Sequence, residues 1–274
     1  MCDYKFLVAT DMDYTLLLPG RPVSDENRRA VRSINEAGGC VTLATGRSFY
    51  ICGSYAADLG ITVPLITSNG AALSDPIKLC DIRSFNFPTD VLHALIRLFN
   101  DENVNATGYS SDGLYFFPSS SRRQFIDDYN DGVTANLKVP ILADLNHSFN
   151  KFLVIEPSPD VIDKILSIPE LQVVSSAKGF FDVMMKGPSK GSALLEIASM
   201  LKVPAGMTFA LGDSENDISL LRSAGHPIAM AGSDPAVLAA AEYVTADCAS
   251  DGFAKAVYDF ILPLVVSNTA SNPN

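Results

Sequence analysis

Asp11 and Asp13 stand two residues apart directly after an apolar run at 4–10, and Asp213 and Asp217 stand four apart after a second such run at 207–211. Carboxylates held close together are hard oxygen ligands. Such a set suits Mg²⁺, which takes one or two carboxylates together with waters and phosphate oxygens. Thr45 closes a third apolar run and is followed by Gly46-Arg47; a hydroxyl beside backbone N–H groups is a cradle for phosphate. Lys190 sits at a predicted helix start, where a buried ammonium can face a phosphoryl group. Taken singly, each has a plain reading: solvated strand-end acids, a strand-end cap, a surface lysine. Taken together they describe a site for metal-assisted phosphoryl transfer.

These residues need a scaffold that brings distant loops to one rim. Residues 4–10, 40–45 and 64–67 read as short buried strands, and Ser24 reads as the cap of a helix that stops at Gly38-Gly39. A second helix runs through 57. Strands alternating with helices imply β-α-β units and a parallel sheet, whose ligands bind at the carboxyl ends of the strands. The alternation loosens between 84 and 184. That stretch reads as helices at 88–100, 119–129 and 161–167, with strands at 105–109, 114–117, 151–155, 171–175 and 180–185, the last two forming a hairpin around Lys178-Gly179. Alternation returns after Pro188 and ends in a helix over 253–262 and a polar tail. The expected architecture is α/β: a Rossmann-like doubly wound parallel sheet from 1–83 and 185–274, with an inserted α+β cap at 84–184.

Four segments carry a resemblance: Asp11-Met12-Asp13-Tyr14-Thr15-Leu16, Leu43-Ala44-Thr45-Gly46-Arg47, Lys190-Gly191 and Gly212-Asp213-Ser214-Glu215-Asn216-Asp217. In this order they resemble the four motifs of the haloacid dehalogenase superfamily of phosphatases, over nearly the whole chain, and the insert resembles the type IIB cap of the Cof-like branch. The usual Gly of the first motif is Tyr14 here. The resemblance implies that Asp11 is a nucleophile forming an aspartyl phosphate and that Asp13 is the acid and base. It implies Mg²⁺ held by Asp11, the main-chain carbonyl of Asp13, and Asp213, with Asp217 orienting its waters. Thr45, Gly46 and Lys190 would bind the phosphoryl oxygens, Asn216 would touch phosphate or Lys190, and Arg47, Asn69 and Gly70 would contact substrate.

The remaining inventory narrows the classes. With 20 Lys and Arg against 31 Asp and Glu the net charge is −11, which disfavours nucleic acid and anionic membranes as partners. Five cysteines without C-x-x-C spacing fit small apolar core positions and a reducing cytoplasm. No leader or membrane-spanning run is read. His93, His147 and His226 lie scattered, and Ser68 and Ser214 have no His partner for a serine hydrolase. The aromatics at 115–117 and 180–181 read as cap core. The expected function is a Mg²⁺-dependent phosphatase of small phosphorylated metabolites such as sugar phosphates. A sugar phosphomutase and a silent binding protein on the same fold are the rivals, and the sequence does not specify the substrate or the oligomeric state.

Overall fold

The computed structural model describes residues 4–117 and 148–270. The first stretch carries β1 (Leu7–Thr10), α1 (Asp25–Glu36), β2 (Cys40–Leu43), α2 (Phe49–Asp58), β3 (Leu65–Thr67), β4 (Ala72–Asp75) and β5 (Cys80–Ser84). The middle carries α3 (Thr89–Asp101), β6 (Asn105–Ser110), β7 (Gly113–Phe117), β8 (Lys151–Ile155), α4 (Pro159–Leu166), β9 (Leu171–Ala177) and β10 (Phe180–Met185). The last stretch carries α5 (Lys190–Met200), β11 (Thr208–Gly212), α6 (Ile218–Ser223), β12 (His226–Ala229), α7 (Pro235–Leu238), β13 (Tyr243–Val244), α8 (Gly252–Ala256) and α9 (Leu262–Ala270). The helix expected at 119–129 lies outside the described residues.

The central sheet is parallel throughout, in the order β13-β12-β11-β1-β2. Every residue of β1, β2 and β11 is buried, as expected for strands covered by helices on both faces. The chain leaves β1 toward β2 on one side and later returns through β11 on the other. The carboxyl ends of β1 and β11 therefore flank a topological switch point, the place where open α/β sheets open a crevice for ligands. Asp11 and Asp213 directly follow those two strands. The helices are set by local chemistry: the Ser24 hydroxyl accepts the Asn27 N–H at the start of α1, and Ser189 and Ser192 form a reciprocal capping box that starts α5 at Lys190.

The third strand and the final helix depart from the sequence reading, and the hairpin β4–β5 was not read at all. The strand at 64–67 was expected in the parallel sheet. Its ladder is instead antiparallel, with β4, in a separate sheet β3-β4-β5, and it touches the extension of β2 through the single bridge Ala44–Ile66. The final helix was expected to stop near 262 and continues to Ala270. A π-helical turn over Val257–Ile261 precedes Pro263; a widened turn relieves the clash of the proline ring with the preceding carbonyls. Cys40 and Cys52 are buried as read, but Cys80 is exposed on edge strand β5.

The segment that breaks the alternation forms its own antiparallel sheet, β7-β6-β8-β10-β9. Side chains alternate across it. Phe152 and Val154 face a core made with Leu95, Phe99 and Ile165 of α3 and α4. The opposite face carries Tyr109, Leu153, Ile155 and Phe180, which meet Ile51 of α2. Lys151 and Asp182 share this second face by their spacing, and it is the face turned toward the parallel sheet.

The crossing of α5 and α6 sets the position of Lys190. A Cβ on Gly191 would lie 2.2 Å from the Ser219 carbonyl oxygen and 2.4 Å from Ser223 Oγ, so only glycine lets the helices come this close. Gly191→Ala is expected to cost about 1–3 kcal/mol by overpacking, a fall of roughly 2–6 °C in Tm for a chain of this size. Thermal unfolding followed by circular dichroism measures it, and an unchanged Tm would contradict the close crossing.

Candidate active site

Lys190 is the centre of the site. Its ammonium is fully buried and donates to Asp11 Oδ1 at 2.7 Å and to Asp217 Oδ1 at 2.6 Å. Burial works against its charge, but the two carboxylates outweigh burial and hold it above its ordinary value, so it stays protonated. Asp217, also fully buried, uses its other oxygen to accept the N–H groups of Asp213 and Ser214 at 3.1 and 3.2 Å. Those bonds fold the loop after β11 onto the start of α6. Gly212 makes the fold possible, because a Cβ there would lie 2.4 Å from the Asp217 Cβ.

Asp213 is oriented by two hydroxyls. Thr15 donates to its Oδ1 at 2.8 Å and Ser214 to its Oδ2 at 2.7 Å. Asp11, Asp213 and Asp217 offer oxygen atoms that all lie within 4.8 Å of one another. Three carboxylates with one ammonium between them leave a surplus of negative charge. Burial, and then the neighbouring carboxylates, push Asp11 well above the usual carboxylate range despite Lys190. Burial and Asp217 raise Asp213 to about 6. A hard divalent cation fits this donor set and this unbalanced charge.

On the other side of Asp11 lies the loop after β2. Thr45 is buried, and its Oγ1 accepts the Arg47 N–H at 3.1 Å. The Arg47 guanidinium grips the Asp13 carboxylate, Nε to Oδ2 at 2.9 Å and Nη2 to Oδ1 at 2.6 Å. Asp13 thus turns its side chain away from the three-acid cluster. A cavity of about 360 Å³ opens above these groups, with Asp11, Asp13, Thr45, Gly46 and Arg47 on its floor, Asn216 beside them, and Tyr109, Lys151, Phe180 and Asp182 of the second sheet opposite. Tyr14, at the position where the resemblance expects Gly, has φ 59° and is 56 % exposed at the mouth.

A family model of haloacid dehalogenase-like hydrolases matches residues 8–257, more than nine-tenths of the chain. The chain belongs to this family. The hydrolase is 29 % identical over 261 residues to the 5-amino-6-(5-phospho-D-ribitylamino)uracil phosphatase YcsE of Bacillus subtilis, covering 93 % of this chain and 96 % of that protein. It is 23 % identical over 268 residues to the pyridoxal phosphate phosphatase YbhA of Escherichia coli, covering 93 % and 98 %. Among solved structures, the subclass IIB sugar phosphatase BT4131 superposes with a TM-score of 0.81 at 24 % identity, covering 93 % of this chain and 98 % of that one; at that identity the likeness is one of fold. The hydrolase is a phosphoric monoester hydrolase.

The predicted residues are mostly brought together. Asp11, Asp13, Thr45, Lys190, Asp213 and Asp217 occupy one rim, with Gly46, Arg47 and Asn216 lining the cavity. Asn69 lies one step back, bonded to Asn216 and to Asp182. Gly70 faces away: a Cβ on it would lie 2.2 Å from the Ser189 carbonyl, so its small size serves the approach of α5. Sequence reasoning missed Lys151 and Asp182. It also placed Phe180 wholly in the cap core, whereas Phe180 lines the cavity.

The raised Asp213 gives a signed expectation for the metal-free protein. An acid whose folded pKa is about 6, above its unfolded value, costs stability above that pH and nothing below the unfolded value. In chelator at pH 7, Asp213→Asn should therefore raise stability by about 1–3 kcal/mol, a gain that disappears as the pH falls to about 4. Melting curves at the two pH values check it.

Proposed function

We propose that the hydrolase is a Mg²⁺-dependent phosphatase of small phosphorylated metabolites, sugar phosphates among them, working through an aspartyl phosphate on Asp11. The observation that carries this reading is the place of Asp11: at the switch point, between an acid cluster of surplus negative charge and a hydroxyl-bearing loop, on the floor of a closed-sized cavity. The cavity volume suits a small ester, and the relatives' named substrates are small phosphorylated compounds. Among the described residues no helix is long and apolar enough to cross a membrane.

Asp11, Asp213 and the main-chain carbonyl of Asp13 would hold the cation, with Asp217 behind them. When bound, Mg²⁺ offsets the repulsion between a carboxylate nucleophile and an anionic phosphate. Lys190 fixes one Asp11 oxygen at 2.7 Å, which leaves the other to attack phosphorus. As the P–O bond to the leaving group breaks, Asp13 gives that oxygen a proton. In the second half Asp13 takes a proton from water, the water oxygen bonds to phosphorus, and the Asp11–phosphorus bond breaks to release orthophosphate. Thr45, the Gly46 amide and Lys190 stabilise the charge on the transferring oxygens. The stretch 84–184 would act as a cap that shields the intermediate and shapes the pocket for the leaving group.

Asp11→Asn should abolish turnover and any covalent phosphate. Asp13→Asn should stop hydrolysis of alkyl phosphates, which need a proton as they leave, by about 10²–10⁴-fold. With an aryl phosphate it should give a burst followed by a stall, and mass spectrometry of the quenched protein should find phosphate on Asp11. Phosphate elsewhere, or steady turnover of both esters, would overturn the roles. Mg²⁺ should raise the Tm of the wild type and leave Asp213→Ala unmoved; equal shifts would overturn the metal site.

A further inference from the structure

We propose that Lys151, with Asp182 as its counter-ion, is a positioning residue that reaches from the second sheet and sets the phosphoryl-binding hydroxyl of Thr45. This inference rests on the phosphatase reading, and it assigns a task to two buried charges that the mechanism above does not use.

Lys151 is 2 % exposed and Asp182 is not exposed at all. Their side chains pair at 2.7 Å. The ammonium also lies 4.1 Å from the centre of the Tyr109 ring, its cross-strand neighbour in the β6–β8 register. A buried ion pair of this kind returns little net stability against a well-packed apolar pair, so stability alone gives no account of it. Its remaining bonds leave the second sheet. Lys151 Nζ donates to the Gly46 carbonyl at 2.6 Å, and Asp182 Oδ2 accepts from Asn69 Nδ2 at 2.7 Å. Asn69 in turn donates its backbone N–H to the Thr45 carbonyl at 3.0 Å.

The Gly46 carbonyl and the Arg47 N–H belong to one planar trans peptide, so they point in opposite directions. Lys151 holds the carbonyl end. The N–H end is donated to Thr45 Oγ1 at 3.1 Å. Pinning the first end therefore fixes where the second end aims. A hydroxyl has one proton and two acceptor sites. With one acceptor site occupied by Arg47, and with no acceptor among the described residues holding the Thr45 proton, that proton is directed to a new acceptor in the cavity that Thr45 lines. A phosphoryl oxygen is such an acceptor. Asn69 holds the other end of the same loop through Thr45 O. The chain of bonds from Asp182 to Lys151 to the 46–47 peptide to Thr45 thus couples the seating of the second sheet to the geometry of the phosphoryl-binding loop. A misplacement of about 1 Å at such a distance from the chemistry can cost about 10²-fold in rate.

The test is a mutant cycle on the full-length protein with p-nitrophenyl phosphate and Mg²⁺. Lys151→Met combined with Asp182→Asn removes the bond to Gly46 without leaving a buried charge unpaired. It is expected to lower kcat by about 10–100-fold with KM changed less than about 3-fold. Thr45→Val removes the hydroxyl in nearly the same volume. If Lys151 acts through Thr45, the paired substitution should cost less than about 3-fold in the Thr45→Val background. Full multiplicative losses in that background, or an unchanged kcat in the paired variant, would overturn the assignment. Should the paired variant fail to fold by circular dichroism, Lys151→Leu with Asp182→Asn carries the same cycle, because it too removes the donor to Gly46; the same outcomes decide it. A wild type that releases no phosphate from this ester or from a panel of sugar phosphates would overturn the phosphatase reading, a result distinct from a wild type that turns over but shows no coupling.

Discussion

A lysine ammonium buried without water has to be matched by carboxylates, and much of this site follows from matching Lys190. Isolated, its charge would be expelled or neutralised. Here Asp11 comes from the end of β1 and Asp217 from the start of α6, so the ammonium ties the two strands that flank the switch point to the helix that carries it. That tie needs α5 to start at residue 190, which the Ser189–Ser192 box provides. It needs α5 close to α6, which Gly191 permits, and close to the 68–70 turn, which Gly70 permits. The small residues around the lysine are the steric counterpart of an electrostatic demand. The same ammonium binds two of the three clustered acids and balances only part of their charge, which is the condition that favours a cation beside it.

How legible this was depends on the residue. The strands β1, β2 and β11 could be read because each is a short apolar run closed by residues that disfavour strands: Asp11, Gly46 and Gly212-Asp213. Ser24 announced its helix by its chemistry as a cap. The β4–β5 hairpin was missed because Pro76 and Lys78 interrupt it and its outer strand is largely exposed, so neither alternation nor an apolar run marks it. The helix through Pro263 was missed because proline ordinarily stops a helix; the π-turn that accommodates it is a tertiary adjustment with no local signature.

The chemical residues divide in the same way. Those in loops after buried strands were legible because their types and order together fit metal-assisted phosphoryl transfer, although each alone reads as a strand-end acid or cap. Lys151 and Asp182 were not, because each lies inside a strand and a polar residue alternating with apolar ones reads as solvent-facing. Burial of that face is decided by a second layer about which the local sequence says nothing. Tyr14 shows the converse. The left-handed φ of 59° belongs to a backbone geometry where glycine is the unstrained choice, so the departure at this position changes the side chain and leaves the turn intact. What it adds is a ring at the mouth of the cavity.

If Asp13 is the acid and base, as proposed, Arg47 adds an order of events to its chemistry. With both oxygens accepting from one guanidinium, Asp13 is an acceptor only, which is the form a base needs and an acid cannot use. Acting as the acid therefore requires at least one oxygen to be released from Arg47 and to take up a proton from water before the ester bond breaks. The group best placed to draw the guanidinium away is the substrate itself, because a phosphate dianion in the cavity competes for the same bidentate donor. Giving that proton to the leaving oxygen leaves Asp13 a carboxylate again, the acceptor form that the attack of water needs. In the proposed reaction Arg47 would thus hold Asp13 in its acceptor form until an anionic ester competes for the guanidinium.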